Sequence, residues 1–401
     1  MTIHDLLDRH VLTRREVEAF LDPNHPTWAK FDPELGYLLQ PFVVQDGVDG
    51  AYTFTSLGPH GERAMVNYAA RPCRINTYGD SYTQCQQVSD GETWQEALAA
   101  HFGEPVRNFG VGGYGVYQAF RRMVREESTG HGASYIILNI FGMDDHLRSL
   151  DSYRRVRCGD WFRQAPIEMF HSNPWDHVRF DEAGNPVVRR SITPRPEDLY
   201  NLCDRDFVHD AFQHDEIMHL YLAQLPGGRP DVSLLEQLSE KTGAGISFRR
   251  STDLAGDALR LHHHCGLKST MAILGWAADF AAEMHKKLMV LLSHGIPELR
   301  RACLGGERED LPLLGFLTDA GIPFADVMES HVREFSEFAL GVDDYLARYC
   351  IPHYNPRGNQ FFAFAVRDAI VRWLDPPPPA FPGPGVTMSF DGYLRESHQD
   401  G

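Results

Sequence analysis

The stretch SYIILNIF, residues 134–141, is an unbroken run of mostly apolar side chains that includes three isoleucines. A strand with one wet face alternates apolar and polar residues, whereas a parallel strand covered by helices on both faces stays apolar throughout. The run KKLMVLLSHG, residues 286–295, has the same character after its two lysines. Both runs therefore predict buried strands of a parallel sheet.

Helix and strand patterns alternate on either side of these two runs. Further strands are predicted at 73–78, 106–109 and within GIPFADVMES, 321–330; helices are predicted at 93–102, 116–127, 269–285 and 360–373. Strands that alternate with helices indicate a parallel sheet with helices on both faces. The predicted fold class is therefore α/β, a three-layer α/β/α arrangement with a mostly parallel, flavodoxin-like sheet.

The alternating pattern covers only part of the chain, residues 66–149 and 285–375, which form the predicted core. Residues 1–65 combine a helix with turn-rich stretches and are interpreted as an N-terminal extension. Residues 150–284 are rich in Arg, Asp, His and Pro, contain a predicted hairpin at VRFDEAGNPVVRR, and are interpreted as a large helical insertion or lid. Residues 376–401 begin with PPPPAFPGPG after Asp375 and predict an extended Pro-rich tail.

Composition excludes some classes of partner. The 401-residue chain has 55 acidic and 38 basic residues, a net charge of −17, which disfavours nucleic acid or an anionic membrane. The first residues lack the basic start and apolar core of a secretory signal, and no apolar run is long enough to span a bilayer. Seven scattered cysteines without a C-x-x-C pair fit reduced thiols. We expect a cytoplasmic protein with neither nucleic acid nor membrane as partner; the oligomeric state is not indicated.

Unusual residues follow the predicted strands, at the edge where parallel α/β sheets build their sites. In chain order these are Gly79-Asp80-Ser81, the glycine run NFGVGGYG at 108–115, GMDD at 142–145, and His353 just before the last helix. Gly-Asp-Ser alone is common and favours a turn. Together with the other three pieces, it points to Ser81 as a nucleophile.

This set of motifs, in this order, resembles the SGNH (GDSL-type) hydrolase superfamily. The first family block is Gly-Asp-Ser, at 79–81. The second is a glycine turn, in which Gly113 takes the oxyanion-hole position. The third, Gly-x-Asn-Asp, is matched by 142–145, and the fourth is a histidine before the last helix, matched by His353.

The resemblance spans residues 70–149 and 285–375 and implies a chemistry. A serine hydroxyl becomes a good nucleophile when a histidine takes its proton, so Ser81 is expected to attack an acyl carbon with His353 as general base. The backbone amides of Ser81 and Gly113 are expected to bind the oxyanion. The implied activity is hydrolysis of a small ester or an O-acyl group through an acyl-enzyme, with no cofactor and no metal.

The third block departs from the family pattern. Asp144 stands where the family has an asparagine that donates to the oxyanion, and an ionised aspartate only accepts. Asp144 is therefore either a helix N-cap or a site residue. Asp145 beside it is expected to support the site, and Asp80 to brace the turn that carries the serine.

The fourth block departs too, because the carboxylate that orients the histidine is missing. Cys350 and Ile351 precede His353 where an acidic residue is expected. The histidine is then oriented by a backbone carbonyl, or by a carboxylate from elsewhere such as Asp343 or Asp344. Cys350 is retained as a supporting residue of the site.

Other functions use the same residues. Acyl transfer or elimination by Ser81 and His353 keeps the fold and changes the reaction, and a non-catalytic ligand-binding module is a further alternative. GVGGYG matches the dinucleotide fingerprint Gly-x-Gly-x-x-Gly, but the strand before it is short and polar. Three adjacent histidines in LHHHC, 261–265, cannot all face one ion, so this run is interpreted as a turn rather than a metal site.

Overall fold

The computed structural model describes residues 1–25, 27–158 and 173–381, and its centre is a five-stranded parallel sheet. The core strands are β1 (Ile75–Tyr78), β2 (Arg107–Asn108), β3 (Tyr135–Phe141), β4 (Lys287–Ser293) and β5 (Phe324–Asp326). Their order across the sheet is β2-β1-β3-β4-β5, and all pairs are parallel. This is the flavodoxin-like order, in which β2 is added on one side of β1, and β3, β4 and β5 are added on the other side. The α/β prediction is confirmed.

Strand β3 lies in the middle of the sheet, and its two faces belong to different hydrophobic clusters. Ile136, Leu138 and Ile140 join one cluster, and Tyr135 and Ile137 join the other. Both faces are therefore dry, as the continuous apolar run predicts. Strand β4 pairs with β3 along its whole length, from Lys287 opposite Tyr135 to Ser293 opposite Phe141.

Helices cover both faces of this sheet and complete three layers. The first cluster includes side chains from helices Val116–Glu127, Leu254–Glu283 and Leu311–Asp319; the second includes side chains from Trp94–Phe102, Ile296–Cys303, Met328–Glu337, Val342–Ala347 and Pro356–Trp373. The last helix begins before its predicted start because the Asn355 side chain caps it by accepting from the Gly358 amide.

The N-terminal segment contains more structure than its sequence indicates. Helices Ile3–Asp8 and Arg14–Leu21 each begin with a capping box. Two antiparallel hairpins follow, Ala29–Asp32 with Gly36–Leu39 and Phe42–Gln45 with Tyr52–Thr55. Their strands have only four residues each, too short for a clear alternation of apolar and polar side chains, so the sequence did not reveal them.

The segment 150–284 is largely helical where it is described. It contains the predicted hairpin, His177–Phe180 with Pro186–Arg189, and helices Arg205–Phe212, Glu216–Gln224, Val232–Thr242 and Leu254–Glu283. Residues 159–172 of this insertion, and residues 382–401 of the tail, lie outside the described residues. None of the described helices combines the length and the apolar character needed to cross a bilayer.

The 30-residue helix Leu254–Glu283 corrects one prediction. It begins well before Ser269 and includes the histidine run for which the sequence predicts a turn. The side chain of Asp253 caps its start, and Leu261 and Cys265, one turn apart, are both buried. That helical spacing was obscured by the three polar histidines between them. The helix packs into the same cluster as β3 and β4, so this part of the segment covers the sheet.

Candidate active site

Ser81 lies at the carboxyl end of β1, at the start of a single helical turn, Ser81–Gln84. Asp80 caps this turn, since its Oδ1 accepts from the Tyr82 amide at 2.8 Å. At Gly79 a Cβ atom would lie 2.1 Å from Thr83 Oγ1 and 2.5 Å from the carbonyl oxygen of Asn139. Only glycine therefore allows the serine turn to pack this closely against β3.

The structure brings Ser81 and His353 together across 272 positions of sequence. The Nε2 atom of His353 lies 2.9 Å from the Oγ atom of Ser81. The Ser81 hydroxyl is also 3.2 Å from Asp80 Oδ2, a longer contact. The Tyr82 hydroxyl donates to the carbonyl of Pro352 at 3.1 Å, which ties the histidine loop to the serine turn.

The environment of His353 favours its neutral form. Burial, together with the positive charge of Arg148, lowers the pKa of His353 to about 4. At pH 7 the imidazole is therefore uncharged. A neutral imidazole has one nitrogen with a free electron pair, as a general base for Ser81 requires.

The group that meets the other side of His353 is Gln87, a residue outside the four motifs. Gln87 Oε1 lies 2.9 Å from His353 Nδ1 and accepts from the His353 backbone amide at 2.9 Å. Neither predicted alternative is observed: the ring partner is not a backbone carbonyl, and Asp343 pairs with Arg300 on the surface. No motif marks Gln87, because a polar residue after a turn is common.

Cys350 belongs to the packing of the histidine loop. It is 6% exposed within the second hydrophobic cluster and forms a β-bridge with Tyr354. Burial raises the pKa of its thiol to about 12, so the thiol stays protonated. Among the described residues it makes no hydrogen bond with the ring of His353.

The glycine loop packs directly on the serine turn. The Val111 amide donates to the Gly79 carbonyl at 3.0 Å, and the Gly112 amide donates to Gln84 Oε1 at 2.6 Å. Gly113 has a left-handed φ of +82°, a conformation that favours glycine. Within the described part of the chain, the backbone amides of Ser81 and Gly113 have no hydrogen-bond acceptor.

Asp144 is an anion held by arginines. Phe141 is the N-cap of helix Gly142–Arg148, so Asp144 lies in its first turn rather than at the cap. Its carboxylate pairs with Arg148 and Arg157, and its side chain is 39% exposed. Burial acts to raise the pKa of Asp144, but the arginines outweigh it and hold that pKa well below its usual range. Asp144 therefore cannot donate a hydrogen bond as the family asparagine does.

Arg148 joins three of the four motifs and was not predicted. Its Nη1 atom lies 3.2 Å from Asp80 Oδ2, 2.9 Å from Asp145 Oδ1 and 3.3 Å from the Tyr114 carbonyl oxygen. Asp145 also accepts from the Phe141 amide at 2.9 Å. Burial raises the pKa of both Asp80 and Asp145, and the repulsion between them raises that of Asp145 further. The buried arginine is their shared counter-charge.

A cavity of about 320 Å³ lies beside the GMDD turn, at the ends of β3, β4 and β5. Gly142, Met143, His294, Arg308 and Met328 are among its lining residues, and Ser81 and His353 are not. Its charged lining is mostly paired: Arg308 with Asp310 and Asp326, and His294 with Asp326. The volume lies at the lower end of the range for small-molecule pockets.

The histidine run does not form a metal site. His262 is buried, His263 pairs with Glu309 at 2.9 Å, and His264 contacts the Thr242 carbonyl oxygen at 3.1 Å. The three rings therefore have different neighbours. In the described ranges no group of three or more His, Cys, Asp or Glu side chains is arranged to hold a metal ion.

Comparison with known proteins gives no family assignment. A scan against protein-family models finds no match for this chain, and a search of curated proteins finds none either.

Proposed function

We propose that this protein is a serine hydrolase of the SGNH type, which acts on a small ester or an O-acyl group. One observation carries the proposal: the 2.9 Å contact between Ser81 Oγ and His353 Nε2, at the carboxyl edge of a parallel sheet. A serine and a neutral histidine at this distance form a nucleophile–base pair. The motif order supports the assignment to this type of hydrolase.

In the proposed reaction, Ser81 Oγ attacks the acyl carbon while its proton moves to Nε2 of His353. The imidazolium then returns this proton to the leaving oxygen as the ester bond breaks, which leaves an acyl-enzyme and a free alcohol. Water attacks the acyl-enzyme with His353 again as base, and Ser81 regains its proton. The cycle needs no redox partner.

The developing oxyanion is expected to bind the amides of Ser81 and Gly113, which have no acceptor in the described structure. The helix that begins at Ser81 has only four residues, so we assign the stabilisation to these local amides and not to a helix dipole. Asp144 is not assigned a donor role. We place the rest of a small substrate in the cavity beside Gly142, a residue of the third motif.

The direct test is ester turnover by the purified protein and two variants. We expect p-nitrophenyl acetate hydrolysis by the wild type, and loss of at least about 10³-fold in kcat/KM for Ser81→Ala. Ser336→Ala, at an exposed serine of helix Met328–Glu337, is the control and should match the wild type. Equal turnover by wild type and Ser81→Ala would overturn the proposal. Product analysis with an added alcohol separates hydrolysis from acyl transfer.

A further inference from the structure

One side-chain amide holds both the backbone and the ring of His353. The backbone amide of His353 can only donate, so the Gln87 atom at 2.9 Å from it must be the acceptor oxygen, Oε1. The same oxygen faces His353 Nδ1 at 2.9 Å, so Nδ1 must carry the ring proton. Nε2 then has the free electron pair and faces Ser81. The tautomer required for catalysis follows from this contact.

Gln87 is itself held firmly by the N-terminal segment. Its Nε2 donates to the Asp46 carbonyl at 3.0 Å, which fixes the amide in the orientation just deduced. The buried guanidinium of Arg63 bonds the carbonyls of Gln84, Cys85 and Val88, on both sides of Gln87. Asp46 lies in the 42–55 hairpin and Arg63 lies in the segment after it. Both parts of the N-terminal segment therefore hold the chain around Gln87.

The backbone of Gln87 is also unusual. Its φ is +73°, in the left-handed region that few non-glycine residues adopt. Such a conformation persists only where the surroundings impose it. A glycine would satisfy the backbone here at no cost, but it would offer no side chain to His353. The contact between the Gln87 side chain and His353 therefore explains why a glutamine and not a glycine has this conformation.

We infer that Gln87 is the positioning residue for His353, in the place that a carboxylate occupies in Ser-His-Asp triads. This inference rests on the proposed function of the Ser81–His353 pair and adds a neutral third member to it. When Nε2 takes the serine proton, Nδ1 keeps its own and still donates to Gln87. A carboxylate stabilises the resulting imidazolium by charge; the amide fixes the tautomer and the ring orientation without that stabilisation.

A neutral orienting group has a measurable consequence. The charged groups on the other elements near His353 are Arg148 and, beyond the Ser81 hydroxyl, Asp80. The titratable ring packed against it is that of Tyr82, and Cys350 and Tyr354 of the same loop bridge to each other. No carboxylate of the described residues contacts the ring directly. A carboxylate introduced at position 87 should therefore favour the protonated form of His353. The neutral amide of Gln87 does not favour that form.

The experiment compares Gln87→Glu, Gln87→Met and the neighbouring control Gln86→Met in the full chain. NMR titration of labelled histidine measures protonation of His353, with a His353→Gln variant to identify its signals among the 20 histidines. Turnover of p-nitrophenyl acetate gives kcat, KM and their pH profiles. Gln87→Glu preserves the size of the side chain, so it answers the question even where Gln87→Met fails to fold.

We expect Gln87→Glu to raise the pKa of His353 by more than one unit and to move the acid limb of kcat/KM upward by the same amount. We expect Gln87→Met to lower kcat on the order of 10²-fold with KM nearly unchanged, since a misplaced base slows chemistry and not binding. Gln86→Met should match the wild type. An unshifted His353 titration in Gln87→Glu, or wild-type kcat in folded Gln87→Met, would overturn the inference.

Failure of this inference is distinguishable from failure of the proposed function. If Ser81→Ala loses activity while the Gln87 variants behave as wild type, the serine hydrolase stands and the positioning role falls. If the wild type shows no turnover dependent on Ser81, the hydrolase proposal falls. The NMR titration of Gln87→Glu still decides, independently of activity, whether residue 87 controls the protonation of His353.

Discussion

The two halves of the candidate site are held by different interactions: hydrogen bonds between neutral groups in one, and ion pairs in the other. On one side, Ser81, His353 and Gln87 are uncharged at pH 7 and are joined by hydrogen bonds of 2.9 Å. On the other side, Asp144 and Arg148 belong to a dense group of ion pairs. Both halves lie at the carboxyl edge of the same sheet.

The difference assigns a task to each half. Neutral groups can exchange a proton without first breaking an ion pair, because neither partner is held by a strong opposite charge. Buried ion pairs instead penalise any change of protonation or position, because an unpaired buried charge is expensive. We therefore assign proton transfer to the neutral half and the fixed placement of the three motif turns to the ionic half.

The largest effect is expected from breaking the neutral half at His353. His353→Gln removes the base and should lower kcat/KM by about 10³-fold or more, equivalent to about 4 kcal/mol of transition-state stabilisation. The free energy of unfolding should change by less than about 1 kcal/mol, because the residue is only half-buried. Parallel kinetics and urea titration measure both. A large stability loss with intact activity would reverse the assignment.

Breaking the ionic half at Arg148 should act first on stability. Arg148→Met leaves Asp80 and Asp145 buried without their shared counter-charge, and should cost about 3–5 kcal/mol of unfolding free energy. Arg300→Met is the matched control, since its pair with Asp343 is solvent-exposed and should be worth at most about 1 kcal/mol. Urea denaturation compares the two. Similar losses in both variants would contradict the role of Arg148.

The contact between the glycine loop and the serine turn offers a smaller disturbance. At Gly110 a Cβ would lie 2.1 Å from the Gln84 amide nitrogen and 2.4 Å from the Thr83 carbonyl carbon. Both are backbone atoms, so Gly110→Ala should cost about 1–3 kcal/mol and displace the turn that carries Ser81. At Gly130 nothing lies within 4 Å, and Gly130→Ala should be nearly neutral. Thermal unfolding that fails to separate the two variants would contradict this close packing.

The smallest effect concerns pH. Since burial and Arg148 lower the pKa of His353 to about 4, kcat/KM should vary less than about two-fold between pH 8 and pH 6 and fall only near pH 4. Between an ordinary pKa near 6.5 and that of about 4, the unfolded chain binds a proton that the native state does not. The contribution of His353 to stability therefore decreases as pH falls through this window. An acid limb near pH 6.5 would contradict the lowered pKa of His353.

The sheet was largely predictable from sequence because its signals are local. The apolar run at 134–141 predicts a strand that is buried on both faces. Helix Val116–Glu127 was predicted at the residues where it is found. The hairpins of the N-terminal segment were not predictable in this way, because strands of four residues carry too few side chains to establish a period. The prediction of a turn at the histidine run was wrong for a related reason. Three polar histidines separate the buried Leu261 and Cys265, so their helical spacing was not apparent.

Candidate site residues that lie in the four motifs could be predicted from the sequence. The residues that contact them and hold them in place could not. Ser81 and His353 were identified from ordered sequence blocks, and the structure brings them into contact. Gln87 and Arg148 are brought close to the motif residues by the fold, and nothing in their sequence context distinguishes them from other polar residues. The missing carboxylate before His353 did signal that another group must orient the ring, without indicating which one.

The central claim is that Ser81 is a nucleophile activated by His353, and fluorophosphonate labelling followed by peptide mass mapping tests it most directly. We expect one adduct per chain, on the peptide that contains Ser81, with loss of the adduct in Ser81→Ala and strongly slowed labelling in His353→Gln. An adduct at another residue, or labelling at an unchanged rate without His353, would contradict it.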